Sequence, residues 1–470
     1  MKSILQMMCV FFLMSFTMLA QSAGLRVGAA VADITPRADV LLDGTIMKIG
    51  PAKDVHDRLH ARCVVFDDGK KRIAIAVMDN TMISREILDD ARQQIHDVTG
   101  MPKSHILLSA THSHSTPRAI DIQQGPANEE YHLELARQIS AGVQEALKNL
   151  QPAEIGWGSF DEPRFVFNRR WFFDKKLTHT NPFGGKEDQV WMNPPRGGLV
   201  KAAGPVDSEV FVVGARQVDG TPIFLLGNYG LHYIGGVPGG HISADYFGVF
   251  SERVKELLGQ SDQEPAFVGL MSNGTSGDVN AVNFQAERKR YPPYVRMKEV
   301  GQSLADQATK VFKETSFSNE ARIAVAYEEI SLGVRKPDAK RLAWAKETLA
   351  KAKPTGRPTR PVIYAREALG LSEYPDEVKI VLQVFRIGDL AIAAIPNEVF
   401  AETGLAIKEQ SPFKDTFIIE LANGYSGYLP TAKQHEWGGY ETWPARSSLL
   451  EVGAESKIRA TIIRLLKEVE

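Results

Sequence analysis

The stretch "SHILLSATHSHSTP", residues 104–117, joins a short apolar run to two histidines that are one residue apart. The run from Ile106 to Ala110 predicts a buried strand, because short apolar runs between polar residues are typical of strands inside a sheet. Side chains two positions apart leave a strand on the same face, so His112 and His114 would point into one cleft. Neutral imidazole binds zinc well. The pair therefore indicates the start of a metal site, and two structural histidines are the alternative.

Two other predicted strands end in potential ligands. His232 follows the apolar run "PIFLLGNYG", and Glu398 follows "AIAAIP". Together with His112 they would form a catalytic zinc site with three protein ligands and an open position for water. Whether the three strand ends converge is a question of tertiary structure, which the sequence leaves open.

Composition limits the class of protein. The chain has 470 residues, 43% of them hydrophobic and 24% charged, so a large core can be buried. Its formal net charge is -2 and no basic block stands out, which argues against nucleic acid as the main partner. A small molecule is therefore the expected partner, and the sequence leaves protein partners unknown.

The N-terminus reads "MKSILQMMCVFFLMSFTMLAQSAG". One lysine, an apolar run and then small residues are typical of a secretory signal peptide. A membrane anchor is the alternative, but the run from Ile4 to Ala20 is short for a full span. We expect residues 1–23 to be a signal peptide that is cleaved after Ser22 or Ala23, and the product to be secreted or periplasmic. No other run predicts a membrane span. Cys63 is then the one cysteine left, and its apolar neighbours predict a buried, inert thiol.

Strand and helix patterns alternate along the rest of the chain. Three hairpins are predicted, turning at "DDGKK" (residues 67–71), at Asp219-Gly220 and at "IGD" (residues 387–389). Helical periodicity covers residues 85–98, 129–150, 244–258 and 455–470. The fold class predicted is α/β, with mixed β-sheets flanked by helices in one large domain from residue 24 to 470. Residues 336–375, rich in lysine and arginine, are predicted to be a basic surface insertion; a substrate-gating lid is the alternative.

Several segments, taken in order, resemble the catalytic domain of the neutral and alkaline, non-lysosomal ceramidases, zinc-dependent amidases that release the fatty acid of ceramide. The segments are "SATHSHSTP" (109–117), "NYGLHYIGG" (228–236) with "ISADYFG" (242–248), "SNGTSGDVN" (272–280), "AIPNEVFAETG" (394–404) and "LANGYSGYLPT" (421–431). The resemblance covers nearly the whole chain after the signal peptide. Well-known members also carry a C-terminal immunoglobulin-like domain, for which this sequence has no matching segment.

The resemblance implies roles for seven residues. It implies that His112, His232, Glu398 and Tyr428 bind zinc. It implies that His114 handles protons, that Tyr440 is a catalytic tyrosine and that Arg169 faces the scissile amide, with Arg170 as the alternative. Independently of the resemblance, Asp79 and Asp245 could orient ligand histidines as nearby carboxylates, and surface or helix-capping aspartates are the alternative.

The sequence departs from the family pattern at the serine beside the metal. An ungapped alignment on Gly277-Asp278 puts Gly274 at that position, with Ser272 and Ser276 on either side. Zinc-activated water is therefore the expected nucleophile. Asp278 is a turn residue by pattern, and a direct chemical role is the alternative.

The resulting expectation is an exported zinc-dependent amidohydrolase that cleaves the linear amide of a ceramide-like substrate. A zinc hydrolase of esters or other small amides is one alternative. A non-catalytic exported binding protein with the same fold is the other.

Overall fold

The computed structural model describes residues 24–37, 40–44, 50–120, 128–174, 176–259, 263–353 and 357–470. The predicted signal peptide, residues 1–23, lies outside the described residues. Within them, no helix has the length and apolar character needed to cross a membrane.

Strands occur along the whole described chain. In chain order, they are β1 (Arg26–Asp33), β2 (Asp54–Val55), β3 (His60–Asp67), β4 (Arg72–Met78), β5 (Ile106–Ala110), β6 (Gln151–Asp161), β7 (Phe167–Asn168), β8 (Arg170–Phe173), β9 (Val190–Met192), β10 (Leu199–Ala202), β11 (Glu209–Gln217), β12 (Pro222–Tyr229), β13 (His241–Ile242), β14 (Val268–Asn273), β15 (Val279–Asn280), β16 (Ile323–Gly333), β17 (Glu377–Ile387), β18 (Leu390–Ala394), β19 (Glu398–Val399), β20 (Asp415–Ile419) and β21 (Tyr428–Leu429).

The α-helices interleave with these strands. They are α1 (Arg85–Thr99), α2 (Glu129–Lys148), α3 (Asp245–Leu258), α4 (Val295–Glu314), α5 (Ala339–Ala350), α6 (Arg360–Glu373), α7 (Ala401–Gln410), α8 (Ala432–Trp437) and α9 (Ala454–Glu468). Local sequence sets their ends. In α1, for example, the Ser84 side chain accepts a hydrogen bond from the Ile87 amide, and Gly100 closes the helix in the left-handed conformation.

Two mixed sheets form the centre of the molecule. The larger has the order β14-β12-β11-β6-β1-β3-β4-β5, and the smaller has the order β16-β17-β18-β20. Both combine antiparallel hairpins with parallel pairs, such as β4 with β5 and β18 with β20. The predicted fold class, α/β with mixed sheets flanked by helices, is confirmed.

The two sheets pack face to face, and helices cover their outer faces. The shared core includes Phe66, Phe224 and Leu270 from the larger sheet and Phe385 and Phe417 from the smaller one. Separate apolar clusters join α1 and α2, and likewise α3 and α4, to the larger sheet. Another joins α7 and α9 to the smaller sheet. The layers are therefore helix, sheet, sheet, helix, and strands such as β3, β4, β12 and β18 are almost wholly buried.

All three predicted hairpins are present, as β3–β4, β11–β12 and β17–β18. The segment 336–375 contains two helices, α5 and α6, and the sequence patterns missed α6. Tyr364 of α6 is buried in an aromatic cluster with Trp443. Cys63 is a free, buried thiol, and burial raises its pKa to about 12.

Candidate metal centre

Short backbone links after the sheet strands carry the predicted ligands. His112 lies two residues beyond β5 and has a φ of 78°, which a non-glycine residue rarely adopts. The His112 amide donates to the carbonyl of Asn80, which helps to hold this conformation. His232 follows β12 by three residues, and Glu398 begins β19, which pairs in parallel with β21 so that Glu398 lies opposite Tyr428.

Side chains from these three places meet at one point. The Nε2 atoms of His112 and His232 are 3.1 Å apart. The Oε2 atom of Glu398 lies 3.3 Å from the first and 3.4 Å from the second. All three residues are buried, with exposed fractions of 1–2%. The convergence that the sequence left open is therefore present in the fold.

The spacing of these atoms fits a metal ion. Four donors at about 2.0–2.1 Å from a tetrahedral zinc ion are about 3.3 Å from one another. The Oε2 atom of Glu398 is buried without a hydrogen-bond partner among the described residues, so it is free to bind a cation. Two imidazoles and a carboxylate are a donor set that zinc accepts.

Backbone carbonyls orient the two imidazoles. The Nδ1 atom of His112 lies 2.8 Å from the carbonyl oxygen of Thr81, and that of His232 lies 2.8 Å from the carbonyl oxygen of Ser276. A proton on Nδ1 leaves Nε2 unprotonated and available to a metal.

The expectation that Asp79 and Asp245 orient the ligands is wrong. Asp79 accepts from the His60 amide and Arg62. Asp245 accepts from the amides of residues 234, 235 and 246.

The protonation states suit a cation as well. Burial, with a further contribution from Arg169, lowers the pKa of His232 to about 3, so its ring is neutral at pH 7. Burial alone would raise the pKa of Glu398, but His112 and His232 outweigh it and hold that pKa well below its usual range. The site therefore offers neutral imidazole and ionised carboxylate, the forms that bind metals.

His114 completes a cluster of three histidines. Donor atoms of His112, His114 and His232 all lie within 4.8 Å of one another, and the three could hold a metal ion. The Nε2 atom of His114 lies 3.1 Å from that of His112, and its ring stacks on Tyr233 at 3.7 Å between centroids. Its Nδ1 atom is buried and has no hydrogen-bond partner in the described part of the chain. His114 is thus placed either to bind the ion or to exchange a proton beside it.

The two adjacent arginines have different surroundings. Arg169 reaches the centre, with Nη1 3.0 Å from Nε2 of His232, while its Nη2 donates to the Gly277 carbonyl. Arg170 points away from the centre and donates to Gln434 and to the Gly438 carbonyl. Glu441, which sequence reasoning missed, accepts from Nε of Arg169 at 2.9 Å and from Nη1 of Arg170 at 2.5 Å. The arginine that faces the centre is Arg169.

Three tyrosines line the same region. Tyr428 lies beneath the Arg169 guanidinium, whose central carbon is 5.4 Å from the ring centroid, and its ring is 5.8 Å from that of Tyr440. Burial raises the pKa of both phenols. Tyr425, which sequence reasoning missed, donates to Oε1 of Glu398 at 2.8 Å and so fixes that carboxylate. Its place in the same "GYSGY" segment as Tyr428 was the available signal.

The "SNGTSGD" segment lies behind His232. Ser272 is bonded within the sheet to Asn228, whereas the Ser276 hydroxyl lies 3.0 Å from Nδ1 of His232 and donates to Glu420 at 2.6 Å. Ser276 thus contacts the edge of His232 that faces away from the cluster. Asp278 accepts from the Ala401 amide and from Asn168, which is a structural role.

A cleft with a volume of about 1250 Å³ adjoins the cluster. His232, Tyr233 and Arg169 line it, and residues 193–196 and 280–292 form much of its wall. Of the residues that meet at the centre, His232 is therefore the one that borders a cavity large enough for a small-molecule ligand.

Comparisons with known proteins agree with this geometry at the level of the fold. No protein-family model matches the chain. The structure resembles the crystal structure of neutral ceramidase from Pseudomonas aeruginosa with a TM-score of 0.70 and 16% identity, over 94% of this chain and 74% of that one. It also resembles a ceramidase complexed with C2, with a TM-score of 0.69 and 16% identity, over 95% of this chain and 76% of that one. The chain has the fold of neutral ceramidase.

Proposed function

We propose that this protein is an exported zinc-dependent amidohydrolase that cleaves the amide bond of an N-acyl, ceramide-like substrate. The observation that carries the proposal is the meeting of His112, His232 and Glu398 at one buried point, beside a cleft that His232 lines. The ceramidase fold supports it, because the two similar structures are described as ceramidases. The Oε2 atom of Glu398 is buried without a hydrogen-bond partner in the described part of the chain, which is costly unless a cation binds it and so supports a metal centre.

His112, His232 and Glu398 would hold the ion, with Tyr428 as a fourth ligand. When bound, zinc polarises a carbonyl and lowers the pKa of a water molecule toward neutrality. Tyr425 and the carbonyls of Thr81 and Ser276 keep the ligands in place whether or not a substrate is present.

Neighbouring side chains of the chain itself would handle charge and protons. Arg169 directs a guanidinium N–H toward the centre and is held there by Glu441, so it can stabilise negative charge on a carbonyl oxygen. Tyr440, half-buried beside Tyr428, can donate a second hydrogen bond to the same oxygen. Burial lowers the pKa of His114 well below its usual value, so its ring is neutral; it can accept the proton of the attacking water and pass it to the leaving amine, which must leave as a neutral group.

Metal analysis tests the proposal. Purified protein should bind about one zinc ion per chain, and His112→Ala and His232→Ala should each lose most of it together with hydrolysis of an N-acyl amide. His132→Ala is a matched control, because that imidazole lies elsewhere, on α2. Unchanged zinc affinity in both ligand variants would refute the ligand assignment. Cleavage of a matched ester but of no amide would favour an esterase.

Export is a separate part of the proposal and rests on the residues 1–23 alone. Protein recovered from its native host should begin near Ala23 or Gly24. An intact mass that still includes Met1 would contradict cleavage.

A further inference from the structure

The wall of the cleft carries a strong excess of positive charge. Seven cationic side chains and two carboxylates line it. The cations are Arg164, Arg169, Arg196, Arg288, Lys289, Arg290 and Arg296. The chain as a whole has a formal net charge of -2, so this concentration is local and does not follow from composition.

Some of these cations are compensated by carboxylates of the protein. Arg169 is paired with Glu441, Arg164 with Glu162, and Arg296 with Glu299 at 2.7 Å. Arg296 also stacks over Phe165 and Tyr291, which fixes its position on the wall. Each of these ion pairs is neutral as a whole, so it fixes the position of an arginine on the wall and adds no net charge to the cleft.

Four cations remain without a carboxylate within 4 Å in the described part of the chain. Arg288, Lys289 and Arg290 are exposed and follow one another along the wall, and with the adjoining Glu287 they leave this segment a formal charge of +2. Arg196 instead donates to the backbone carbonyls of Asn283, at 2.7 Å, and Ala286. The positive charge of Arg196 is therefore fixed at the same wall by neutral carbonyl groups, which do not cancel it.

Hydrogen bonds also tie together the two segments that form this wall. Asn280 donates to Asn193 at 2.8 Å, and Arg196 spans from the first segment to the carbonyls of the second. The uncompensated charge is thus placed on a cross-linked wall of the cleft that His232 and Arg169 also line. A concave wall of one sign concentrates counter-charged ligands more than a flat, solvated surface does.

From this placement we propose that the cleft selects N-acyl amides that carry an anionic group, of which N-acyl amino acids are the simplest. The anionic group would lie against Arg196 and the 288–290 segment while the amide reaches the histidine cluster. The inference deepens the proposed function and rests on it. A neutral amide would fill the same cleft but would leave these charges without a partner.

Two substrates with the same acyl chain test this selection, N-lauroylglycine as the anion and N-lauroylethanolamine as the neutral compound. We expect kcat/KM of the parent protein to be at least tenfold higher for the anion at low salt, and the preference to shrink as salt rises. The double variant Arg288→Glu/Arg290→Glu should raise KM for the anion about tenfold or more and leave the neutral substrate within about twofold. Lys70→Glu/Lys71→Glu, the same charge change at the exposed β3–β4 turn, should alter neither.

The outcomes separate this inference from the proposed function. Equal cleavage of both substrates, or an unchanged KM in the double variant, would overturn the selection of anions while leaving amide hydrolysis standing. If neither amide is cleaved, the proposed function fails, and binding of N-lauroylglycine by equilibrium dialysis then decides the inference: binding that the double variant weakens supports an anion site, and equal binding refutes it. An effect of the double variant seen only with substrate presented in phosphatidylglycerol vesicles would refute it in favour of docking to an acidic membrane.

Discussion

Backbone carbonyls, rather than carboxylates, hold the ligand imidazoles. The oxygens of Thr81 and Ser276 each take the Nδ1 side of one ring. A carbonyl fixes the tautomer without adding negative charge, so the ionised Glu398 is the carboxylate in direct contact with both rings. Sequence patterns could place His112, His232 and Glu398 at strand ends, but no pattern specifies which distant carbonyl each ring meets.

The two tyrosines of the site should fail in different ways. Burial, with a further contribution from Glu398, raises the pKa of Tyr428, so it can become a phenolate ligand only if a bound cation lowers that pKa. Tyr428→Phe should therefore weaken zinc binding and slow turnover together. Tyr440→Phe should keep the metal and a nearly unchanged KM, while kcat falls by about a hundredfold or more, because its hydroxyl acts on charge that develops in the transition state.

Zinc content and steady-state kinetics of both variants check this assignment. Tyr364→Phe is a suitable control, since Tyr364 belongs to the adjoining aromatic cluster and is not a proposed ligand or donor. Parental zinc content and kcat in both site variants would show that the two hydroxyls only fill space.

At the scale of elements, fully buried strands were predictable, whereas half-exposed or very short ones were not. Apolar runs identify β5, β12 and β18, because burial of a whole strand leaves a continuous signal in the sequence, while the eleven-residue strands β6 and β16 are largely exposed or half-buried and were missed. The two-residue pair β19–β21, which sets Glu398 opposite Tyr428, is too short to leave such a signal. Helix α6 was missed because "PTGRPTRP" indicates a break, yet Pro361 lies in its first turn, where a missing amide hydrogen costs nothing.

Close packing under β19 makes one glycine critical for the metal centre. A Cβ atom added at Gly277 would lie 2.5 Å from the carbonyl oxygen of Glu398 and 2.8 Å from its carbonyl carbon, and backbone atoms can move little. Gly277→Ala should therefore displace β19, lower zinc affinity at least tenfold and destabilise the fold by about 1–3 kcal/mol.

Zinc competition and urea unfolding of metal-free protein measure the two effects. Gly197→Ala is the matched control, because a Cβ atom there meets nothing within 4 Å. Loss of stability with full zinc affinity would show that β19 can shift without moving the carboxylate.

At the scale of the whole molecule, the fold buries several carboxylates although burial of an ionised group is costly. Asp43, Asp245 and Asp278 are each about 1% exposed or less, and burial raises the pKa of each to about 6. Two of them tie segments of the site together: Asp245 caps the loop after His232, and Asp278 joins β7 to the start of α7. Asp245 and Asp278 are thus buried where their hydrogen bonds join separate segments of the fold. Composition alone could not have indicated which acidic residues have this role.

This burial gives a prediction for the pH dependence of stability. The pKa of Asp278 rises from 3.8 to about 6 on folding, so between these values the folded chain binds more protons than the unfolded one. The contribution of Asp278 to the free energy of unfolding is then most favourable below pH 4 and is lost as the pH rises to 6, by at most about 3 kcal/mol.

Asp278→Asn cannot ionise and escapes this loss. The variant should be less stable than the parent at pH 4, because the amide cannot accept from both Ala401 and Asn168, and the deficit should narrow by pH 7. Urea unfolding of chelator-treated protein across this range measures the difference while keeping metal release out of it. Asp219→Asn is the control: the Thr221 amide lowers the pKa of that exposed carboxylate, so its contribution changes in the opposite direction. A deficit for Asp278→Asn that is constant with pH would mean that Asp278 ionises as readily in the fold as in water.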